Sequence, residues 1–287
     1  MKVSYYPGCS LHGTAKEYDQ SVKAVCSALG IELKEVDDWC CCGATSAHST
    51  NFKLSIALPA LTLIAAEKDA AELSEVMVPC AACFNRLKTA HYHLKKDSSL
   101  KSEVESIAGR EYRGSIAVRN PIDIIYHDIG LETLQGKVTR KLTGLKPVSY
   151  YGCLLLRPPE VCEFDDYENP VMLDSIMNCL GAESRPWSYK TDCCGGSLTI
   201  SKTNVVTRMV NKLMTMAREA EANCLVAACP ICMANLDMRA SENVRLPVFY
   251  FTELIALALG LAGSENWFKL HHTDPAPLLS VLGLLLG

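Results

Sequence analysis

The sequence predicts an α/β fold written twice: two pseudo-symmetric small α/β domains, each a short sheet flanked by helices. Three observations predict it. A cysteine pattern occurs in each half of the 287-residue chain in the same order. Short apolar runs lead directly into those cysteines. Amphipathic stretches of helical period lie between them.

The repeat starts with "YYPGCSLHG", containing Cys9, and returns as "SYYGCLLLRPP", containing Cys153. "WCCCGA" supplies Cys41 and Cys42, and "DCCGGS" supplies Cys193 and Cys194. "VPCAAC" supplies Cys80 and Cys83, and "ACPIC" supplies Cys229 and Cys232. The gaps are 31 and 37 residues in the first half and 39 and 34 in the second. Gly43 and Gly195 follow the adjacent pairs, so alignment on glycine selects Cys41 and Cys42 and leaves Cys40 as an extra thiol.

The elements follow in chain order. Residues 2–7 and 146–151 read as short strands ending at Cys9 and Cys153. Residues 14–29 read as a helix, with Val22, Val25, Cys26 and Leu29 on one face. Ser-Thr-Asn at 49–51 and Ser201 are expected helix starts after the Cys-Cys-Gly loops. Residues 74–79 and 223–228 read as strands running into the two Cys-x-x-Cys motifs. Residues 203–220 carry Val206, Met209, Val210, Leu213 and Ala217 at helical spacing. The cysteines therefore sit at strand-to-loop junctions, where open α/β sheets place their sites. The expected division is 1–120 for the first domain, 121–145 for a connecting segment and 146–287 for the second, with an apolar tail. The wider stretch 98–145 is polar and glycine-punctuated around a possible helix at 121–131, and it reads as a connection, not a third domain.

Composition narrows the function. Apolar content of 49% and charged content of 21% suit a packed globular protein. A net charge of −4 without a basic run, and aromatic content of 7%, argue against nucleic acid as a partner. The apolar stretches at 254–263 and 278–287 are each near ten residues. A bilayer span needs roughly 20, so a buried helix and a docking tail are expected, with no transmembrane span. The N-terminus lacks the apolar core of a signal peptide. Fifteen cysteines, an odd number grouped as pairs and Cys-x-x-Cys, fit metal or redox chemistry in a reducing, cytoplasmic setting better than a disulfide framework.

Adjacent cysteines make strained disulfides, so the pairs point to burial or to ligation, and the recurrence of the whole pattern favours ligation. Thiolates select zinc, copper(I) or iron–sulfur clusters. Each half offers five repeated cysteines, one more than tetrahedral zinc or an ordinary four-iron cluster takes. That surplus favours a larger iron–sulfur group, with a zinc-stabilised scaffold as the competing possibility. Cys26, Cys179 and Cys224 read as core thiols, and Cys162 as a partly exposed thiol in a polar loop.

At these residues the chain resembles the CCG-domain family, and within it the B subunits of heterodisulfide reductases. The resemblance spans essentially the whole chain in motif order, with ten cysteines in register; the gap before Cys80 is slightly long and Cys40 is additional. It implies two noncubane [4Fe–4S] clusters at the domain interface. Carried over residue by residue, the ligands are Cys9, Cys41, Cys42, Cys80 and Cys83 for one, and Cys153, Cys193, Cys194, Cys229 and Cys232 for the other. It implies reduction of the coenzyme M–coenzyme B disulfide (CoM-S-S-CoB) to two thiols, in the setting of methanogenesis and electron bifurcation. Because that substrate is strongly anionic, His12, Arg86 and Arg157, each close after a ligand cysteine, are candidate substrate contacts.

Neither a cubane ferredoxin motif nor a Gly-x-Gly-x-x-Gly fingerprint occurs in the sequence. The resemblance accordingly implies partners from the same reductase: its ferredoxin-like C subunit as electron donor, its flavin-bearing A subunit, and a hydrogenase or formate dehydrogenase module. The alternative from the same family is a CCG-type iron–sulfur subunit of another anaerobic respiratory or electron-bifurcating complex, acting on a different disulfide or a quinone.

Overall fold

The computed structural model describes residues 1–44, 47–164 and 166–285; the last two residues of the apolar tail lie outside the described residues. The first half holds a parallel sheet of β1 (Lys2–Tyr5), β2 (Glu32–Glu35), β3 (Glu75–Met77) and β4 (Ala117–Arg119), in the order β2-β1-β3-β4. The second holds β5 (Pro147–Tyr150), β6 (Cys224–Ala227) and β7 (Val248–Tyr250) in the order β5-β6-β7, also parallel. Helices connect the strands, as parallel pairing requires.

Strand composition follows position. β5, β6 and β7 are buried along their full length, as strands covered on both faces are. β2, "ELKE", is polar and partly exposed because it lies at an edge. Among the described residues the second sheet has no strand at the corresponding position, yet its edge is covered. Glu183 N donates to Leu145 O (2.9 Å) and Arg185 N to Pro147 O (2.8 Å). The Trp187 indole N–H then donates to Ser149 O at 2.9 Å. An extended chain and an indole replace a fourth strand.

The expected helix at 14–29 is Lys16–Ala28, and that at 203–220 is Thr203–Glu219. Asn51 caps the helix Phe52–Ala66 by accepting from Leu54 N at 3.0 Å. Ser201 is not a cap; Lys202 precedes the helix and makes no capping bond. Of the stretch 98–145, the helix Ser98–Ala108 packs on Phe52–Ala66, and β4 completes the first sheet. At 121–129 stand a helical turn, Pro121–Asp123, and a π-helix, Ile124–Ile129.

The halves exchange the helices that follow their last strands. After β7, the helix Phe251–Leu259 packs on Lys16–Ala28 of the first half. After β4, the segment 121–136 packs on the helix Met172–Cys179 of the second half. Their interface is thus part of one continuous apolar core. Among the described residues no helix is long and apolar enough to cross a membrane.

Candidate metal centre

The two strands that open the halves end in the same device. Tyr6-x-Gly8-Cys9 and Tyr150-x-Gly152-Cys153 both turn at a glycine of positive φ, +67° and +69°. A Cβ on Gly8 would stand 3.0 Å from Cys83 Sγ, and one on Gly152 would stand 3.0 Å from Cys232 Sγ. Only glycine lets the backbone approach the second cysteine of each Cys-x-x-Cys so closely. The tyrosines brace the next motif. Tyr6 OH donates to Cys40 O at 2.8 Å, and Tyr150 OH to Asp192 O at 2.6 Å. In both halves the accepting residue immediately precedes the cysteine pair.

That equivalence assigns Cys40 a place. It occupies the position of Asp192, outside the repeated set. Its thiol donates to Leu58 O at 3.1 Å and lies 3.9 Å from Thr62 Oγ1, docking the loop on the helix Phe52–Ala66. The chain bends at Gly43 and Gly195, φ +72° and +80°, directly after each pair.

The ten repeated cysteines are free thiols, and the fold gathers their sulfurs. Cys9 and Cys41 are 3.9 Å apart, Cys42 and Cys83 3.2 Å, and Cys194 and Cys232 3.6 Å. Cys41 and Cys42, Cys83 and Cys80, Cys229 and Cys232, and Cys153 and Cys193 are near enough to shift one another's ionisation. The halves join at Cys80 and Cys229, the first cysteine of each Cys-x-x-Cys: the carbonyls just before them, Pro79 O and Ala228 O, lie 3.3 and 3.2 Å from the one hydroxyl of Tyr18, and the two thiols shift one another's ionisation. A succession of neighbouring sulfurs therefore runs from Cys9 through Cys41, Cys42, Cys83, Cys80, Cys229 and Cys232 to Cys194. The sulfur sites at Cys9, Cys41 and Cys193 are exposed, whereas the centre at Cys80 and Cys229 is buried.

Electrostatics differ along the succession. Contacts with the Cys41 and Cys83 thiols outweigh burial and hold Cys42 down at about 3, with the Ala44 N–H and the Arg86 cation helping. Cys193 is lowered to about 6 by its contact with Cys153, against burial, helped by the Gly195 and Gly196 N–H groups; Gly195 N lies 3.2 Å from its sulfur. The contact with Cys232, then that with Cys80, lowers Cys229. Backbone N–H groups aimed at sulfur are what a bound thiolate needs.

The donor chemistry fits thiolate-held iron–sulfur groups. All ten donors are sulfur, in two sets of five. Among the described residues, no three His, Cys, Asp or Glu side chains converge in the manner of a single-ion site. Five soft donors in each set are one more than a tetrahedral zinc takes, which suits multi-iron groups.

The other thiols are packing groups. Cys26 and Cys224 are buried, their ionisation pushed up by burial. Cys179 is half-buried and donates to Leu131 O at 3.2 Å. Cys162, expected to be partly exposed, is instead buried, with Sγ 3.4 Å from Asn85 Nδ2. The same amide donates to Arg157 O at 2.8 Å, tying the first half's Cys-x-x-Cys helix to the second half.

The three cationic candidates are separated by environment. His12 Nε2 is 3.2 Å from Glu35 Oε1, and its ring packs edge-on to Trp39. Arg157 is exposed. Arg86 is half-buried and bonded to Asn85 Oδ1. Two cavities lie away from the ten sulfurs. One of about 610 Å³ follows the outer edge of β2, and one of about 360 Å³ lies between the halves beside Lys88, His91, Arg119 and Cys162. Sequence reasoning missed Tyr18, Asn85 and Asn235, for which no spacing gave a signal. The Tyr-x-Gly-Cys sequence common to both openings is the signal that could have pointed to Tyr6 and Tyr150.

The sequence profile of the cysteine-rich domain family, CCG, matches residues 3–88 and 148–237. The chain belongs to the CCG family. Each CCG half carries one set of five sulfurs. Among curated proteins the chain is 29% identical over 278 residues to the 8-methylmenaquinol:fumarate reductase membrane anchor subunit of Wolinella succinogenes, covering 92% of this chain and 94% of that one. It is 26% identical to the B subunit of the ferredoxin/F420H2-dependent CoB-CoM heterodisulfide reductase of Methanosarcina acetivorans, with 92% and 91% covered. It is 25% identical to lactate utilization protein A 1 of Bacillus anthracis, with 90% and 99% covered. A solved structure of a hypothetical protein from Helicobacter pylori shares the fold at a TM-score of 0.72 and 10% identity, over 94% of this chain and 51% of that one.

Proposed function

We propose that this CCG chain is the disulfide-reducing iron–sulfur subunit of a heterodisulfide-reductase-type complex. The observation that carries the reading is the meeting of the two five-sulfur sets at Cys80 and Cys229. Cys9, Cys41, Cys42, Cys80 and Cys83 hold one noncubane [4Fe–4S] cluster; Cys153, Cys193, Cys194, Cys229 and Cys232 hold the other. Bound there, such a group supplies single electrons at a thiolate-held iron.

The chain's own residues fit the stoichiometry. A disulfide takes two electrons and two protons to become two thiols, and the chain presents two matched sets side by side. Burial at Cys80 and Cys229, each 2% exposed, keeps water from the junction. Arg157 is exposed and open to an anionic substrate such as CoM-S-S-CoB. His12, held by Glu35, is placed to pass a proton beside the exposed end at Cys9. The proposed donors are the ferredoxin-like C subunit and the flavin-bearing A subunit of such a complex, with a hydrogenase or formate dehydrogenase module behind them, in the cytoplasm.

A second reading has its own support. The 29% identical relative is named for a methylmenaquinol-linked reductase, so a quinone in place of the disulfide is the competing two-electron partner. Turnover separates the two. The anaerobically purified chain, given a chemical reductant, is offered CoM-S-S-CoB and a menaquinone analogue in parallel. About eight irons per chain with two thiols released per disulfide support the first reading; quinone reduction without disulfide cleavage establishes the second.

A further inference from the structure

We infer that Arg86 makes the N-terminal sulfur site the more easily reduced of the two, while Asn235 at the equivalent place leaves the C-terminal site the electron-donating end. The inference rests on the cluster reading above and adds a polarity to it. Both residues stand three positions after the second cysteine of their Cys-x-x-Cys, on the helices Ala81–Lys96 and Pro230–Arg239. The matched approach of Gly8 to Cys83 and Gly152 to Cys232 shows that the two frames correspond.

The side chains at this shared place do different things. Asn235 is 2% exposed, accepts from Thr199 Oγ1 and donates to Cys194 O at 3.1 Å; its Nδ2 lies 3.8 Å from Cys194 Sγ. It brings no charge to the second set. Arg86 brings a guanidinium whose hydrogen bond goes to a neutral amide, Asn85 Oδ1. No carboxylate pairs with it among the described residues, whereas Arg119 takes Glu75, Asp123 and Asp128. A half-buried cation needs a counter-charge. By that equivalence Arg86 holds beside the first sulfur set the place that Asn235 holds beside Cys194, and the thiolates of that set are its counter-charge.

A fixed positive charge beside a redox site lowers the cost of adding an electron there; a neutral amide does not. Arginine stays charged at every working pH, so this bias is permanent.

The test is an anaerobic redox titration of the full iron-loaded chain without disulfide or quinone, so that a residue serving only as a substrate contact leaves it unchanged. Wild type is expected to show two separate waves. Arg86→Gln is expected to lower the upper wave by at least tenfold in its equilibrium, about 59 mV for one electron, and to leave the lower wave in place. Arg86→Lys, which keeps the charge, should retain most of the separation. As a second variant, Asn235→Asp puts a negative charge at the other site and should lower the lower wave. With iron content equal to wild type, unmoved waves in both Arg86→Gln and Asn235→Asp, or movement of the lower wave in Arg86→Gln, overturn the assignment. A wild-type chain that binds no iron overturns the cluster reading itself, and the iron assay shows this before any titration begins.

Discussion

The ring of Tyr18 lies flat on the ring of Tyr250, with centroids 4.1 Å apart and planes 4° from parallel. The stack joins the first half to the second, and the Tyr18 hydroxyl extends the join to the sulfur sites. It lies 3.3 Å from Pro79 O and 3.2 Å from Ala228 O, the carbonyls immediately before Cys80 and Cys229. One buried hydroxyl thus fixes the spacing at which the two Cys-x-x-Cys motifs face each other. Tyr18→Phe keeps the stack and removes the hydroxyl. It is expected to cost about 1–2 kcal/mol for the two buried carbonyls, lowering Tm by about 2–4 °C per kcal/mol for a chain of this order of size. Calorimetry on wild type and variant checks this, and an unchanged Tm would remove the bridging role.

Gly8 and Gly152 lead to a paired prediction. Alanine at either place meets a positive φ that costs about 1–2 kcal/mol, and its Cβ presses on the sulfur of Cys83 or Cys232 at 3.0 Å. Gly8→Ala and Gly152→Ala should each lower iron content toward half while the other set stays loaded. Iron and acid-labile sulfide assays on the anaerobically purified variants decide it. Full iron in both would show that the close approach is not needed for binding.

A buried ion pair away from the sulfurs sets a pH dependence. His271 Nε2 is 2.9 Å from Glu253 Oε1, with both side chains almost completely buried. Burial disfavours the imidazolium, but the Glu253 carboxylate outweighs it, with Asp237 and Glu17 assisting, so His271 titrates above its ordinary value. A raised histidine stabilises the fold fully below its unfolded value of about 6.5, and that contribution is lost as pH rises through the folded value. Glu17, raised chiefly by burial, acts with the same sign from a lower pH. Denaturant titrations should therefore show stability falling from pH 6 to pH 8. His271→Gln should flatten that slope and cost about 3–5 kcal/mol at pH 6, by leaving Glu253 buried without its cation. A slope unchanged in His271→Gln would assign the dependence to other groups.

What the sequence disclosed and what it hid follow from the range of the forces involved. β1, β3, β5 and β6 were legible because short apolar runs meet a cysteine at a forced turn. The helices Lys16–Ala28 and Thr203–Glu219 were legible because one face is apolar at helical period. β2 was not, because the edge sequence "ELKE" is polar and gains its place only by pairing with β1. β4 was hidden in a stretch that reads as a connector, since three residues carry no period. Among site residues, the spacing picked out the ten cysteines. It could not show that Cys80 and Cys229 meet, that Asn85 reaches Cys162, or that Tyr18 serves both halves. Those are contacts between segments far apart in sequence, which no local period records.

The three adjacent cysteines supply the sharpest test. Cys40 sits where the other half has Asp192, and only its carbonyl serves the site, by accepting from Tyr6. Its thiol is spent on Leu58 O, a bond that a serine hydroxyl can also make. Cys40→Ser should therefore keep the wild-type iron content and stability within about 1 kcal/mol, the worth of one such hydrogen bond. Cys194 differs on every count. It is 4% exposed, contacts Cys232 Sγ at 3.6 Å and sits under the Asn235 amide. Cys194→Ser removes a soft donor from the middle of the second set and should lose about half of the iron, with the first set still loaded. Iron assays on both variants, purified side by side without air, read the difference directly. Loss of iron in Cys40→Ser would bring that thiol into the set, and full iron in Cys194→Ser would dismantle the assignment of the second set.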